Sequence, residues 1–166
     1  MKVLVIYDTF FGNTEQVARA IGEAFDAATS CEVLRITQVK PEQLAEVDLL
    51  IAGSPTRAFR ATDAMRKYLK DLSAGALKGV KVAAFDTRAD VEEVNSRLLT
   101  GMVKLFGYAA EPIAEQLKKK GGEVVTPAEG FFIQASEGPL KEGELERAAA
   151  WAVEIQQLAT GDRHPA

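Results

Sequence analysis

The stretch Val5-Ile6-Tyr7-Asp8-Thr9-Phe10-Phe11-Gly12-Asn13-Thr14-Glu15-Gln16-Val17-Ala18 decides how this chain is read. It opens in the apolar run Val3 to Tyr7, which Asp8 cuts off and which reads as a strand buried on both faces. Beyond it, Val17, Ala18, Ile21, Ala24, Phe25 and Ala28 recur at the spacings of an amphipathic helix. Asn13 or Thr14 is expected to cap that helix, and Glu15 or Gln16 to satisfy its first amides. A helix N-terminus carries unpaired N–H groups and about half a positive charge, so the intervening loop is a natural anion site. Gly12 lets the backbone come close, and Thr9, Asn13 and Thr14 add short neutral donors. The loop holds no Lys or Arg and the chain has no GxxxxGK[ST], which excludes a P-loop and argues against nucleoside triphosphate chemistry. Neutral donors around a glycine suit a phosphomonoester.

Working outward, strand-like and helical stretches alternate. Cys31 to Ile36 predicts a second strand, Asp48 to Ala52 a third ending at Gly53, and Val80 to Phe85 a fourth. Met65, Tyr68, Leu69 and Leu72 mark one helix; Ala110, Ile113, Ala114 and Leu117 mark another, stopped by Gly121-Gly122. Short extended pieces follow at Glu123 to Val125 and Phe131 to Gln134, and the stripe Leu145, Ala148, Trp151, Ala152 and Ile155 predicts a closing helix. Residues 87–106 read two ways: Val91, Val94, Leu98 and Met102 suit a helix, whereas Thr100-Gly101 suits a loop. The expected fold is α/β, a doubly wound five-stranded parallel sheet of order 2-1-3-4-5 with helices on both faces, formed by one domain over residues 1–160 with a flexible tail at 161–166. Such a sheet binds its ligand where the order reverses, between the first and third strands. The loops after those strands should therefore carry unusual residues, and they do.

Composition bounds the function. With 166 residues, 47% of them hydrophobic and 27% charged, the chain has the make-up of a soluble globular domain. A net charge of −4 without a concentrated basic face argues against nucleic acid as a partner. Lys118-Lys119-Lys120 ends a predicted helix, where it opposes the negative end of the dipole. The lone Cys31 excludes an intrachain disulfide and, opening an apolar strand, suggests a buried thiol. The run Val3 to Tyr7 is too short for a membrane span or signal peptide, so a cytoplasmic protein is expected. No function is expected of His164.

The opening stretch resembles the flavodoxin FMN-phosphate signature: an aromatic, a hydroxyl residue, Gly12-Asn13-Thr14, then Ala18 at the family's spacing. The resemblance spans nearly the whole chain and is of the short-chain type, without a long insertion in the fifth strand. It implies FMN, with the phosphate wrapped by Thr9, Phe10, Phe11, Gly12, Asn13 and Thr14, the two phenylalanines serving through their backbone amides. Gly53-Ser54-Pro55-Thr56 is similar to the loop that flanks the flavin ring in this family, which implies ring contacts from Ser54, Pro55, Thr56, Arg57, Ala58 and Phe59. Phe59 is suited either to stacking on the ring or to covering the sheet edge. The Ser-Pro-Thr-Arg form also resembles flavodoxin-like NAD(P)H:quinone reductases. Asp86, Thr87 and Arg88 occupy the place of the second ring loop, although the Gly and Tyr usual there in electron-transfer flavodoxins are missing. Glu137 to Glu144 resembles a stretch of poorly characterised flavodoxin-like proteins, with no chemistry assigned to it.

The resemblance thus implies an FMN redox protein, with an electron carrier favoured over a small flavin-dependent reductase. Its partner would be a redox protein or a small-molecule acceptor, with neither nucleic acid nor membrane involved, and the chain a monomer or small homo-oligomer. No catalytic side chain and no metal site are assigned. The alternatives are a quinone reductase and a flavodoxin-fold module without cofactor. A receiver domain would need a phosphoacceptor Asp where the third strand ends in Ala52-Gly53-Ser54. Arg57, Arg60 and Arg88 in the ring loops imply a less negative flavin potential than in an acidic flavodoxin.

Overall fold

A computed structural model of the chain describes residues 1–90 and 97–161. Val91 and Val94, two of the residues that suggested a helix, and residues 162–166 of the expected tail, His164 among them, lie outside the described residues. Among the described residues twelve strands and α-helices follow one another: β1 (Lys2–Tyr7), α1 (Asn13–Glu23), β2 (Ser30–Arg35), the single-turn α2 (Pro41–Leu44), β3 (Leu49–Pro55), α3 (Asp63–Asp71), β4 (Lys81–Ala89), α4 (Arg97–Phe106), α5 (Ala110–Lys119), β5 (Glu123–Val124), β6 (Glu129–Ile133) and α6 (Glu144–Thr160), with a 3-10 turn at Ile36–Gln38 between β2 and α2. The strands are all parallel, in the order β2-β1-β3-β4-β5, with β6 also pairing with β4. The expected fifth strand is thus present as two pieces. Of the undecided segment, 97–106 are helical, as one reading had it, whereas 87–89 prolong β4, which neither reading expected.

Strand alternation explains why β1 is apolar throughout. Side chains i and i+2 leave a strand on the same face. Val3, Val5 and Tyr7 enter one core with Val17, Ala18 and Ile21 of α1 and Ala148, Trp151, Ala152 and Ile155 of α6. Leu4 and Ile6 enter the other, with Met65 and Leu69 of α3 and Ile113 and Leu117 of α5. A strand between two helical layers therefore needs apolar residues at every position. Phe85, Phe131 and Trp151 close the first core edge to face, with ring centroids 6.0, 6.2 and 6.0 Å apart. Gly53 faces Phe85 across the sheet, and a Cβ there would stand 2.0 Å from the phenyl ring, so only glycine leaves the ring its place.

Two local expectations change. The Cys31 side chain is only partly buried, because β2 is an edge strand with one face half open; burial still pushes its thiol up to about 11. Lys120 is not merely a solvated end of a basic run. Its ammonium donates to the carbonyls of Lys70, at 2.8 Å, and Leu72, closing the C-terminal end of α3. Among the described residues no helix is long and apolar enough to cross a membrane.

Candidate functional site at the sheet reversal

The β1–α1 loop is built by short internal bonds. The Asp8 N–H donates to the Gly53 carbonyl at 3.1 Å, tying the end of β1 to β3. The Asp8 carboxylate accepts from the Thr9 N–H at 2.9 Å and pairs with Arg35 at 3.1 Å, so its charge is offset beside the loop. Thr9 Oγ1 accepts from the Gly12 N–H at 2.9 Å, and Gly12 adopts φ 86° to turn the chain into α1. Gly12, rather than Asn13 or Thr14, is the residue that caps α1, and no side chain bonds to the first turn. Both expected caps are engaged elsewhere. Asn13 Nδ2 donates to the Glu137 carbonyl at 2.9 Å, and the Thr14 hydroxyl meets that of Thr87 at 2.8 Å. Glu15 pairs with Arg19 instead of returning to the cap. The first helical bond is Gln16 N–H to Gly12 C=O, and the amides of Phe10, Phe11, Asn13, Thr14 and Glu15 have no partner among the described residues. A set of unpaired N–H groups around a left-handed glycine is a receptor for an anion, with the helix dipole behind it.

The second wall comes from the end of β3. Ser54 is fully buried, accepts from the Thr62 N–H at 3.0 Å and donates to the Pro55 carbonyl at 3.2 Å, so its hydroxyl sets the loop from within. Thr56 Oγ1 accepts from the Ala109 N–H at 2.9 Å. Arg57 and Arg60 pair in antiparallel fashion (N···O 3.0 and 3.1 Å), enclosing Ala58 and Phe59 at φ 46° and 63°. That is a two-residue hairpin turn of the kind that asparagine and glycine ordinarily supply. Placing Ala and Phe there strains the backbone by about 1–3 kcal/mol per residue, and such strain clusters at ligand sites. The Arg57 guanidinium lies 5.4 Å from the centre of the Phe10 ring and 5.3 Å from that of Phe11. These two phenylalanines, 56% and 47% exposed, form a clamp on the cation at the surface of the loop.

Asp86, Thr87 and Arg88 need a correction of place: β4 runs through them to Ala89, because Phe85 to Ala89 pair in register with Glu129 to Ile133. They are strand residues, not a loop. Thr87 faces Thr14, whereas Asp86 and Arg88 bind each other, Arg88 Nε to Asp86 Oδ1 at 2.5 Å and Nη2 to Oδ2 at 2.8 Å. Asp86 also accepts from the Ala110 N–H at 2.8 Å and so anchors the start of α5. The Arg88 guanidinium lies 3.7 Å from the centre of the Tyr108 ring. Its positive charge is balanced within the fold rather than offered to a ligand. Gly130 allows this, since a Cβ there would stand 2.3 Å from the guanidinium carbon.

The walls enclose a narrow cleft: Thr9, Phe10, Phe11, Asn13 and Thr14 on one side, Pro55, Thr56, Arg57 and Thr87 on another, Ile133 and Ser136 on a third. A wider groove of about 400 Å³ adjoins it, sharing Phe10 and Arg57 and continuing to Ala58, Arg60 and Ala61. Of the expected site residues, Gly12, Ser54, Phe59, Asp86 and Arg88 line neither cleft. Ile133 and Ser136 line the narrow cleft and were not singled out by sequence reasoning. The Gly138-Pro139 pair signals a turn, but nothing in the linear order says that this turn returns to the first loop.

A doubly wound sheet with an anion receptor at its reversal defines a class of mononucleotide-binding domains. A family model described as flavodoxin matches residues 5–151, and the chain belongs to the flavodoxin family, FMN-binding proteins of electron transfer. Solved structures agree in fold. A flavodoxin from the domain Archaea has a TM-score of 0.76 at 21% identity, covering 96% of this chain and 99% of that one. Flavodoxin 1 from Bacillus cereus has a TM-score of 0.74 at 19% identity, over 95% and 98%. The rubredoxin oxygen:oxidoreductase from Desulfovibrio gigas matches 96% of this chain with 36% of its own, at a TM-score of 0.72 and 17% identity.

Proposed function

We propose that the phosphate of FMN is held at the N-terminus of α1 by the amides of Phe10, Phe11, Asn13, Thr14 and Glu15, with the Thr9, Thr14 and Thr87 hydroxyls around it. The observation that carries this reading is the run of unpaired N–H groups about Gly12, where a Cβ would meet nothing within 4 Å. A phosphomonoester dianion fits that donor set: it accepts many hydrogen bonds and gains from the dipole. The Thr14–Thr87 pair uses one hydroxyl proton for the mutual bond and leaves the second to donate. The flavin ring lies beyond the Arg57–Phe10–Phe11 clamp, in the groove bounded by the strained turn at Ala58 and Phe59. When bound, FMN supplies the electron-accepting and electron-donating chemistry; the protein sets its potential and access.

The protein acts as a one-domain carrier, residues 1–160, that exchanges electrons with a redox partner protein in the cytoplasm. Arg57 and Arg60 beside the open groove favour a second reading, reduction of an anionic or quinone acceptor. FMN and riboflavin titrations of the apoprotein, followed by flavin fluorescence, test the site. FMN is expected to bind far more tightly, and equal affinities would sink the phosphate assignment. Mixing the loaded protein with NADH or NADPH separates the two functions, since rapid bleaching marks a reductase.

A further inference from the structure

The segment after β6 turns back on itself beside the phosphate loop. The Gln134 N–H donates to the Pro139 carbonyl at 2.8 Å, and the Lys141 N–H to the Phe132 carbonyl at 2.9 Å, forming a hairpin. Its tip is a tight turn closed by Gly138 N–H to Ala135 C=O at 3.1 Å, which leaves Ser136 and Glu137 as the central residues. The tip is latched to α1. The buried Asn13 donates its Nδ2 to the Glu137 carbonyl, and because the acceptor is a carbonyl the amide orientation is fixed. Gly138, at φ 107°, lies so near that a Cβ would stand 2.6 Å from the Asn13 amide. Ser136 then lines the cleft opposite Thr9 and Thr14, and its hydroxyl has no partner among the described residues.

We propose that the Ala135–Gly138 turn is the third wall of the phosphate site: Ser136 Oγ donates to the phosphate, and Asn13 positions that wall instead of binding the ligand with its side chain. The proposal rests on the phosphate reading above. Three observations carry it: Ser136 in the cleft, its unpaired hydroxyl, and a latch of such close fit that only glycine is admitted beside Asn13. Chemically, Ser136 is one more neutral donor in a site without Lys or Arg in its first loop. Glu137 contributes only its carbonyl, and its exposed carboxylate is left to solvent.

The test compares FMN with riboflavin, because only FMN reports on the phosphate. Ser136 is exposed, so Ser136→Ala keeps the fold; it should weaken FMN about tenfold, as for loss of a hydrogen bond to a charged group, and leave riboflavin unchanged. Asn13→Ala should weaken FMN at least as much. Adding Ser136→Ala to Asn13→Ala should then change affinity by less than about twofold, since the displaced turn no longer presents the serine. Circular dichroism of the apoproteins verifies folding, and Gly138→Ala serves as the second latch variant. An unchanged FMN affinity in Ser136→Ala, or equal losses for FMN and riboflavin, would overturn the proposal. If Thr14→Ala still weakens FMN selectively, only the third wall has failed. If Thr14→Ala is silent as well, the phosphate is elsewhere and both readings fall.

Discussion

Thr14 shows how much of a site residue's role depends on its neighbour. Its hydroxyl is almost fully buried and shared with Thr87 from a strand distant in sequence. Two hydroxyls carry two protons; one closes the mutual bond and the other is left to donate, in the site proposed above to a phosphate oxygen. Thr14→Ala should therefore weaken FMN by roughly tenfold to 150-fold, the range for a hydrogen bond to a charged group, with the fold intact. Thr87→Val should produce a loss in the same direction. A dissociation constant unchanged in both variants would remove the hydroxyl pair from the site. The residue type at position 14 is what the sequence displays; the pairing with Thr87 exists only because β1 and β4 sit on either side of β3.

At the scale of elements, the start of α6 is fastened to the sheet by one buried carboxylate. Glu144 accepts from the Phe132 N–H at 2.6 Å and from Arg147, whose guanidinium also reaches Glu129 at 3.0 Å and lies 4.5 Å from the centre of the Phe131 ring. Burial by itself would raise the Glu144 carboxyl, but the Arg147 and Phe132 bonds outweigh it and hold the group below its ordinary 4.5. A depressed carboxylate contributes stability above its unfolded value and loses it as pH falls through the folded one. Stability should thus decline below about pH 4.5 in part through Glu144. Glu144→Gln is expected to be less stable at neutral pH by about 1–3 kcal/mol. Its stability should also fall less steeply in acid, so the two curves converge. Urea unfolding from pH 7 down to pH 3 checks this, and parallel curves would contradict it.

For the molecule as a whole the question is what field the flavin feels. The chain is net negative at −4, yet Arg57 and Arg60 stand at the groove. Arg88, expected to join them, is bound to Asp86 and contributes little net charge. Positive charge stabilises reduced, anionic flavin. A charge about 8 Å away in a partly screened site is worth on the order of 1 kcal/mol. Arg57→Gln should therefore lower the potential of the bound flavin, whereas Arg88→Gln should act mainly on stability, because it leaves Asp86 buried without its partner. Redox titration of both variants decides the matter. A potential unmoved in Arg57→Gln would reduce that arginine to a surface charge. The sequence by itself determined the strands, most of the helices and the first loop, because these rest on local signals. Those signals are strand and helix periods, a glycine at a turn, and short donors at a helix start. It placed Asp86 to Arg88 in a loop because a strand's end depends on its partner, and β6, which prolongs β4, lies more than 40 residues further on. The clamp of Phe10 and Phe11 on Arg57, the Asp86–Arg88 pair and the latch between Asn13 and Glu137 were decided by tertiary structure alone. The clamp and the latch join groups from separate loops that only the folded sheet brings together, and the Asp86–Arg88 pair, two residues apart, forms because β4 continues through both.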